Sequence, residues 1–246
     1  METYDLVHDL HAWRDDWKIG VKVLKRWYKA DEYGKPGLAF VLVDEYGSRI
    51  YASCGNMSYS YFDMVCPEGQ WVKLSKFRLI PADWERKERN TRHSSQMILN
   101  TETKVSSIRP LTEDPFEKFV DFDEINQRPY SHLYPIDLIG VLVNVGEILS
   151  SESTEGIFEK SLKFTIKDLE DRTLDCLAHG DFAVDIKNQT TGVDGPFAIC
   201  VLTDWMIYKD QGPPGVKPPE PWWEEGWSRV KALVLDWACV GHPSVH

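Results

Sequence analysis

The sequence lacks the short patterns that mark most enzymes, membrane proteins and secreted proteins. It contains no Gly-rich phosphate-binding loop, no Gly-x-Ser-x-Gly nucleophile motif and no paired histidines supported by further metal ligands. It has no run of about 18 apolar residues. Its first residues, Met-Glu-Thr-Tyr-Asp, lack the basic start and apolar stretch of a signal peptide. We therefore expect an intracellular protein without catalytic activity, metal or other cofactor.

Cysteine is scarce and scattered. The five cysteines form no Cys-x-x-Cys pair and stand at Cys54, Cys66, Cys176, Cys200 and Cys239. This spacing supports neither a structural zinc site nor a disulfide framework. We expect most of them to be buried thiols that pack as small apolar side chains.

The composition is that of a globular chain whose charges are unevenly distributed. With 246 residues, of which 42% are hydrophobic and 27% charged, the chain is long enough for two ordinary cores. The net charge is −11, but residues 1–104 contain 16 Lys and Arg against 15 Asp and Glu, whereas residues 105–246 contain 12 against 24. Because polyanion binding depends on where cations cluster, only the first part is a candidate for it. A solvated surface without a ligand explains the same charges equally well.

An internal repeat is the most informative feature that is present. The first copy contains three strand-like segments, Trp17–Trp27, Leu38–Asp44 and Arg49–Ser53, and the second contains Ile136–Val145, Leu162–Asp168 and Arg172–Leu177. Val23 is matched by Val143 and Asp44 by Asp168, so each copy has the same apolar alternation and the same acidic corner. Two units of one small β-rich fold are the economical interpretation.

The order of predicted elements within a copy points to one fold. Residues 17–27, 38–43 and 49–53 have the pattern of strands, 56–65 that of a short helix with Tyr61, Met64 and Val65 inward, and 71–80 and 96–99 that of further strands. Three strands, a helix and two strands are the order of the OB-fold, a five-stranded Greek-key barrel. The second copy repeats this order as far as its fourth strand, with a helix at 181–186 and a strand at 198–208. The fold class expected is all-β, with two tandem OB-fold barrels, the second ending atypically.

Several segments resemble a known family. Val43-Asp-Glu-Tyr-Gly followed by Arg49-Ile-Tyr-Ala-Ser, and Pro135-Ile-Asp-Leu-Ile-Gly-Val-Leu-Val-Asn-Val-Gly-Glu147, look like the large subunit of replication protein A. The resemblance spans about residues 3–210 and is closest to plant forms and Helitron-related proteins. It implies a nuclear protein with tandem OB-folds that bind single-stranded DNA, RNA being a further possibility. Such folds hold the strand in a basic groove while aromatic rings stack on bases.

The stacking residues that this resemblance implies are largely missing. The stacking position at the end of strand 3 falls at Gly55 in the first unit, and the position in the loop between strands 4 and 5 falls near Glu88. In the second unit, Leu177-Ala-His-Gly180 stands where the family usually reads Leu-Trp-Gly, which places His179 at the stacking position, and the loop position falls near Asp210. Since each lost stack costs about 1–3 kcal/mol, we expect weak binding of a single strand.

Other residues of the first unit offer replacement contacts. Trp27 and Tyr28 stand between cations beside the loop after strand 1, and Tyr51 lies on the face of strand 3 that also carries Arg49. A structural role, with Trp27 capping the barrel core, is an equally good interpretation. The predicted nucleic-acid contacts are Arg26, Trp27, Tyr28, Lys29, Arg49, Tyr51, Arg86, Lys87, Arg89, Arg92 and His179. The four cations at 86–92 also suit a solvated turn, and His179 alone on a strand also suits a structural role.

The last part of the chain departs from the family pattern. Residues 211–221 are rich in proline and predict a stiff linker without helix or central strand. Trp222, Trp223 and Trp227 then predict either a protein interface or packing on the second barrel, and the residues after them could supply a fifth strand or a helix. We expect a first OB-fold at 1–105, a second at 106–211 and a Pro- and Trp-rich segment at 212–246. A regulatory OB-fold protein that binds a protein partner through its acidic second unit or this segment is the alternative to single-strand binding.

Overall fold

A computed structural model describes residues 3–30, 34–82, 91–127, 134–152, 158–191, 198–208, 215–217 and 229–234. The described chain divides into two compact units, and the division falls between Phe116 and Glu117. The expected domain limit at residue 105 stays a prediction. The structural division differs from it by the segment 106–116, which belongs with the first unit.

The first unit is a curled sheet with the OB-fold order of elements. Its strands are β1 (Lys18–Ala30), β2 (Pro36–Val43), β3 (Arg49–Cys54), β4 (Trp71–Ser75), β5 (Arg78–Pro81), β6 (Ser95–Leu99) and β7 (Lys104–Ser107), and helix α1 (Tyr59–Val65) follows β3. Neighbouring strands run in the order β5-β6-β3-β2-β1-β4-β7. Among these described strands, β3 and β6 form the one parallel pair.

The predicted strand at 71–80 is two half-strands. Lys76, with a φ of +58°, interrupts it between β4 and β5. The first half pairs with β1 and the second with β6. Because the halves stand near opposite ends of the strand order, their connection closes the sheet into a barrel.

The second unit repeats this design. Its strands are β8 (Ile136–Val145), β9 (Leu149–Glu152), β10 (Phe158–Lys167), β11 (Thr173–His179), β12 (Ala198–Tyr208), β13 (Gly215–Lys217) and β14 (Arg229–Val234), and its helices are α2 (Phe122–Gln127) and α3 (Gly180–Thr190). The path β11-β13-β12-β8-β10 is closed by pairing of β10 with β11. The all-β fold of two OB-type barrels is therefore confirmed.

The fifth strand of the second barrel lies inside the proline-rich segment. Strand β13 pairs in parallel with β11 and antiparallel with β12, as β6 pairs with β3 and β5. The prediction that proline excludes a central strand from 211–221 is wrong, because β13 lies between β11 and β12, where Gly215, Val216 and Lys217 form a proline-free window with backbone N–H groups. Strand β14 pairs with β12 as β7 pairs with β4. Asp204, with a φ of +56°, interrupts β12 pairing in the place that Lys76 has in the first unit.

Each barrel has its own apolar core. Phe40, Phe62 and Ile50 lie in the first core, and Phe164 packs edge-on against Trp205 in the second, with ring centroids 5.7 Å apart. Full burial of a side chain of this size contributes about 1.5–3 kcal/mol. Described cysteines Cys54, Cys66, Cys176 and Cys200 are buried free thiols, as expected; Cys239 lies outside the described residues.

The inner face of helix α1 differs from the prediction. The helix begins at Tyr59 instead of residue 56, and Phe62 is its fully buried residue. Val65, one turn further on, packs against the core as expected. Tyr61 and Met64 point outward and are 44% and 74% exposed, so their predicted inward placement is wrong. Within the described residues, no helix has the length and apolar character required to cross a membrane.

The acidic corners that define the repeat have the same geometry in both units. Asp44 Oδ1 accepts hydrogen bonds from the backbone N of Tyr46 and Ser48, at 3.1 and 2.9 Å. Asp168 Oδ1 accepts from the backbone N of residues 170 and 172, at 2.9 and 3.0 Å. The second oxygen of Asp44 accepts from Val7 N at 2.9 Å, whereas that of Asp168 accepts from the Arg172 guanidinium. Each aspartate thus closes its own turn, and Asp44 also ties that turn to the N-terminal segment through Val7.

The bulges in the first strands refine the alignment of the repeat. The pairing of β1 with β2 skips Leu24, and that of β8 with β10 skips Val143. These two residues are therefore equivalent, and Val23 corresponds to Leu142 instead of Val143. The match of Asp44 with Asp168 is confirmed by their shared hydrogen bonds.

The segment between the barrels contributes to both. Phe116 packs with Val43 and Trp71 on the first unit. Beyond the division, Phe122 and Ile125 of α2 lie in the second core. Residues 114–134 are therefore more than a linker, because they supply core side chains in the part that the structure describes.

Candidate nucleic-acid interface

The outer face of β1, β2 and β3 carries four of the eleven predicted contacts, Trp27, Lys29, Arg49 and Tyr51. Leu38, Phe40, Leu42, Ile50 and Ala52 point into the core, as the strand alternation predicts. The residues between them point outward, and we call this set the first sheet face: Lys25, Trp27, Lys29, Ala39, Val41, Arg49, Tyr51 and Ser53. Trp27, Ala39, Val41 and Tyr51 form an apolar cluster separate from the barrel core.

Trp27 and Tyr51 lie together on the first sheet face but are not open platforms. Their ring centroids are 6.1 Å apart at an interplanar angle of 43°. Trp27 is 4% exposed and Tyr51 7% exposed. The Lys29 ammonium lies 5.7 Å from the centroid of the Tyr51 ring and donates a hydrogen bond to the Tyr51 hydroxyl at 3.2 Å. In this conformation the face therefore presents a cation above buried rings.

Arg26 and Tyr28 point away from the first sheet face, toward helix α1. The Arg26 guanidinium donates to the Asp63 carbonyl at 2.6 Å and pairs with its carboxylate at 2.8 Å. The Tyr28 hydroxyl donates to the other carboxylate oxygen at 3.0 Å, and this hydrogen bond raises the pKa of Tyr28. Tyr28 is 54% exposed. These two predicted contacts therefore lie on a different side of the barrel wall from Trp27 and Lys29.

The remaining predicted cations have different surroundings. Arg49 donates to the Phe116 carbonyl at 2.5 Å, which ties the segment after β7 to β3. Arg92 is exposed just before β6. Arg86, Lys87 and Arg89, like Trp222, Trp223 and Trp227, lie outside the described residues. Their assignments stay predictions.

The two predicted stacking positions at the ends of strands β3 and β11 are structurally equivalent. Cys54 pairs with Leu38 in the first unit, and Ala178 pairs with Leu162 in the second. The next residues are Gly55 and His179. Gly55 is exposed, and a Cβ added there would have no atom within 4 Å. His179 is half-buried and is the residue that precedes helix α3.

The equivalent outer face of the second unit is mainly polar, with Leu177 at the position of Ser53. The pairing registers place Asn144, Gly146, Lys163, Thr165, Thr173 and Asp175 where the first sheet face has Lys25, Trp27, Ala39, Val41, Arg49 and Tyr51. The Thr165 hydroxyl donates to the Asp175 carboxylate at 3.0 Å. This face thus has one cation and one anion and neither of the two aromatic rings. Sequence reasoning missed this comparison because it depends on the bulge register.

Comparisons with known proteins agree with the fold. The family model described as "Domain of unknown function DUF223" matches residues 8–128. A replication protein A heterotrimer bound to ssDNA superposes with a TM-score of 0.60 at 17% identity, over 92% of this chain and 51% of the other. The chain has the tandem OB-fold. It spans about half the length of that replication protein A chain.

Two further solved structures have TM-scores below 0.5. A murine DNA-binding protein bound to double-stranded DNA matches with a TM-score of 0.43 at 13% identity, over 95% of this chain and 100% of the other. The Ifi202 HINa domain in complex with a 20-bp double-stranded DNA matches with a TM-score of 0.46 at 14% identity, over 90% and 98%. No curated protein sequence matches the chain.

Proposed function

We propose that the first unit binds single-stranded DNA weakly through the first sheet face. The observation that carries the proposal is the contrast between equivalent faces. Lys25, Lys29 and Arg49 surround an aromatic pair in the first unit, whereas the second unit has a neutral polar face in the same position. Cations beside aromatic rings are the combination that single-strand binders use. The fold supports the proposal, since the replication protein A structure that it resembles is described as bound to ssDNA.

The geometry argues for low affinity. Trp27 and Tyr51 are covered, and Gly55 offers no ring at the end of β3. Each missing stack costs about 1–3 kcal/mol, and two or three of them weaken binding by several powers of ten. We therefore expect a Kd in the micromolar range or weaker at moderate salt.

A titration of a fluorescein-labelled dT oligonucleotide, followed by anisotropy, tests this proposal. In a plot of log K against log salt, three phosphate contacts on the first sheet face contribute about −2 to the slope, since each contact on a single strand contributes about −0.7. Lys29→Glu should weaken binding at least several-fold, because it reverses a charge on the first sheet face. Lys163→Glu makes the same change on the exposed equivalent face of the second unit and should leave the Kd unchanged. Nanomolar affinity, or equal loss in both variants, would contradict the proposal.

A protein-binding role is the second candidate function. Among its described residues, the second unit carries one cation on the face equivalent to the first sheet face, and it exposes Ile139 and Val143 on β8. Apolar side chains exposed together on a strand are typical of interaction surfaces. If the chain shows no oligonucleotide binding at low salt, this role becomes the better account. The resemblance to plant-type and Helitron-related forms, the nuclear location and the preference for DNA over RNA stay predictions.

A further inference from the structure

An open cavity of about 670 Å³ lies on the first unit, away from the first sheet face. It is lined by Tyr61 of α1, Lys76 at the strand interruption, and the turn and strand that follow β6, Thr101, Glu102, Thr103, Lys104 and Val105. None of these residues belongs to the predicted contacts. A volume of this order accommodates one small organic ligand.

Hydrogen bonds hold the wall of this cavity in place. Asn100 Oδ1 accepts from the backbone N of Glu102 at 2.8 Å and of Thr103 at 3.2 Å, which forms a tight turn. The Thr103 hydroxyl lies 3.3 Å from the Lys76 carbonyl and donates to it. Strand pairing sets Lys104 opposite Ser75, the neighbour of Lys76. The backbones that carry Lys76 and Lys104 are therefore preorganised side by side, which lowers the entropic cost of binding.

Two lysines, Lys76 and Lys104, and the aromatic ring of Tyr61 line the same cavity. Lys76 and Lys104 are exposed, and among the described residues neither forms an ion pair. Glu102 is the one carboxylate of the lining, so the described lining carries a net positive charge. Tyr61 packs edge-on against the buried Phe62, with ring centroids 5.2 Å apart at 71°, and this contact orients its ring. Two ammonium groups beside an oriented aromatic ring suit a phosphate and a base together.

We infer that this cavity binds one nucleotide of a single strand, with its phosphate between Lys76 and Lys104 and its base on the Tyr61 ring. The inference rests on the proposed function and adds a contact outside the first sheet face. An acidic peptide would satisfy the cations but would leave the ring of Tyr61 without a planar partner. In the second unit, Asp204 stands in the place of Lys76, so the charge at this position is reversed.

The experiment compares oligonucleotide binding by matched variants of the full chain. Lys76→Glu/Lys104→Glu should raise the Kd for the dT oligonucleotide at least tenfold and make the salt slope shallower by about 1.4, the share of two phosphate contacts. Tyr61→Ala should raise it about tenfold, as for a lost stack, whereas Tyr61→Phe, which keeps the ring, should not. Lys160→Glu/Lys163→Glu reverses two exposed charges of the second unit and should have no effect. Thermal unfolding confirms that each variant folds.

The outcomes separate this inference from the proposed function. If the wild type binds and Lys76→Glu/Lys104→Glu binds equally well, the cavity is not a nucleotide site, but the first sheet face still is a candidate. If Lys160→Glu/Lys163→Glu weakens binding as much as Lys76→Glu/Lys104→Glu does, the oligonucleotide is held by non-specific electrostatic attraction and the inference is wrong. If the wild type does not bind at all, both fail. As a direct probe, thymidine 5′-monophosphate should shift the amide resonances of Thr103 and Lys104, and a shift by a poly-glutamate peptide alone would overturn the assignment.

Discussion

Gly55→Tyr should convert the weak first unit into a stronger single-strand binder. Gly55 follows β3 on the side of Tyr51, at the position where the replication protein A resemblance implies a stacking ring. It is exposed, has no φ in the left-handed region, and a Cβ there meets no atom within 4 Å. A Cβ at this position therefore fits without strain, and strand alternation directs the new side chain to the side of the first sheet face.

The expected gain is that of one base stack. A stack contributes about 1–3 kcal/mol, which corresponds to a Kd lowered about 5- to 150-fold. The gain should persist at higher salt, because stacking adds no phosphate contact and leaves the salt slope unchanged. Anisotropy titration with a dT oligonucleotide at two salt concentrations measures both quantities.

His179→Tyr is the matched control for this gain. His179 occupies the equivalent position in the second unit, beside a face with one lysine, one aspartate and no ring. The same new ring should therefore gain little affinity there. An unchanged Kd in Gly55→Tyr, with thermal stability preserved, would refute the assignment of the first sheet face as the binding surface. An equal gain in both variants would refute the contrast between the units.

Three further predictions concern the scaffold. Asp44→Ala should lower the free energy of unfolding by about 3 kcal/mol, because three backbone N–H groups, including that of the buried Val7, lose their acceptor. Urea unfolding measures this free energy, and a decrease of less than about 1 kcal/mol would contradict the prediction. Gly37→Ala should cost roughly 2 kcal/mol, since its Cβ would lie 2.6 Å from the Cys54 carbonyl oxygen, whereas Gly55→Ala should leave the melting temperature unchanged. Burial raises the pKa of Cys54 to about 11 and the pKa values of Cys66 and Cys200 to about 12. Iodoacetamide at pH 8 should therefore label these three thiols only after the protein is denatured. Peptide mapping that finds rapid labelling of the native protein would contradict this prediction.

The sequence was sufficient for features that depend on neighbouring residues. Alternation along 49–55 correctly separates inward Ile50 and Ala52 from outward Tyr51, because side chains of a strand alternate whatever it packs against. The acidic corner at Asp44 was equally visible, since an aspartate that accepts from N–H groups two and four residues later is a local turn.

Features that depend on distant partners were missed. The interruption at Lys76 arises because β4 pairs with β1 and β5 pairs with β6. The residues at 71–80 do not by themselves indicate these two different partner strands. Strand β13 is three residues long and is recognised by its parallel pairing with Cys176, far away in the sequence. Arg49, which stays a predicted phosphate contact, also donates to the carbonyl of Phe116, and nothing near Arg49 in the sequence indicates this acceptor 67 residues later.

The burial of Trp27 and the cavity beside Tyr61 show the same limit at the candidate site. The positions of charges and aromatic residues in the sequence indicate that the first unit is the candidate for binding. The exposure of each side chain, however, is set by tertiary packing. Trp27, flanked by cations in the sequence, is buried, whereas Tyr61, expected in the core, is exposed beside two lysines. In the second unit, Gly146 occupies the position of Trp27, and this equivalence follows from the positions of the bulges in β1 and β8.

The most direct test of the central claim is an amide chemical-shift map of the whole chain titrated with a dT oligonucleotide. We predict shifts in residues 22–30, 37–43 and 49–55 of the first unit, with fast exchange typical of micromolar binding. The equivalent residues 141–149, 161–167 and 173–179 of the second unit should remain unshifted. Shifts confined to the second unit, or spread equally over both faces, would contradict the account.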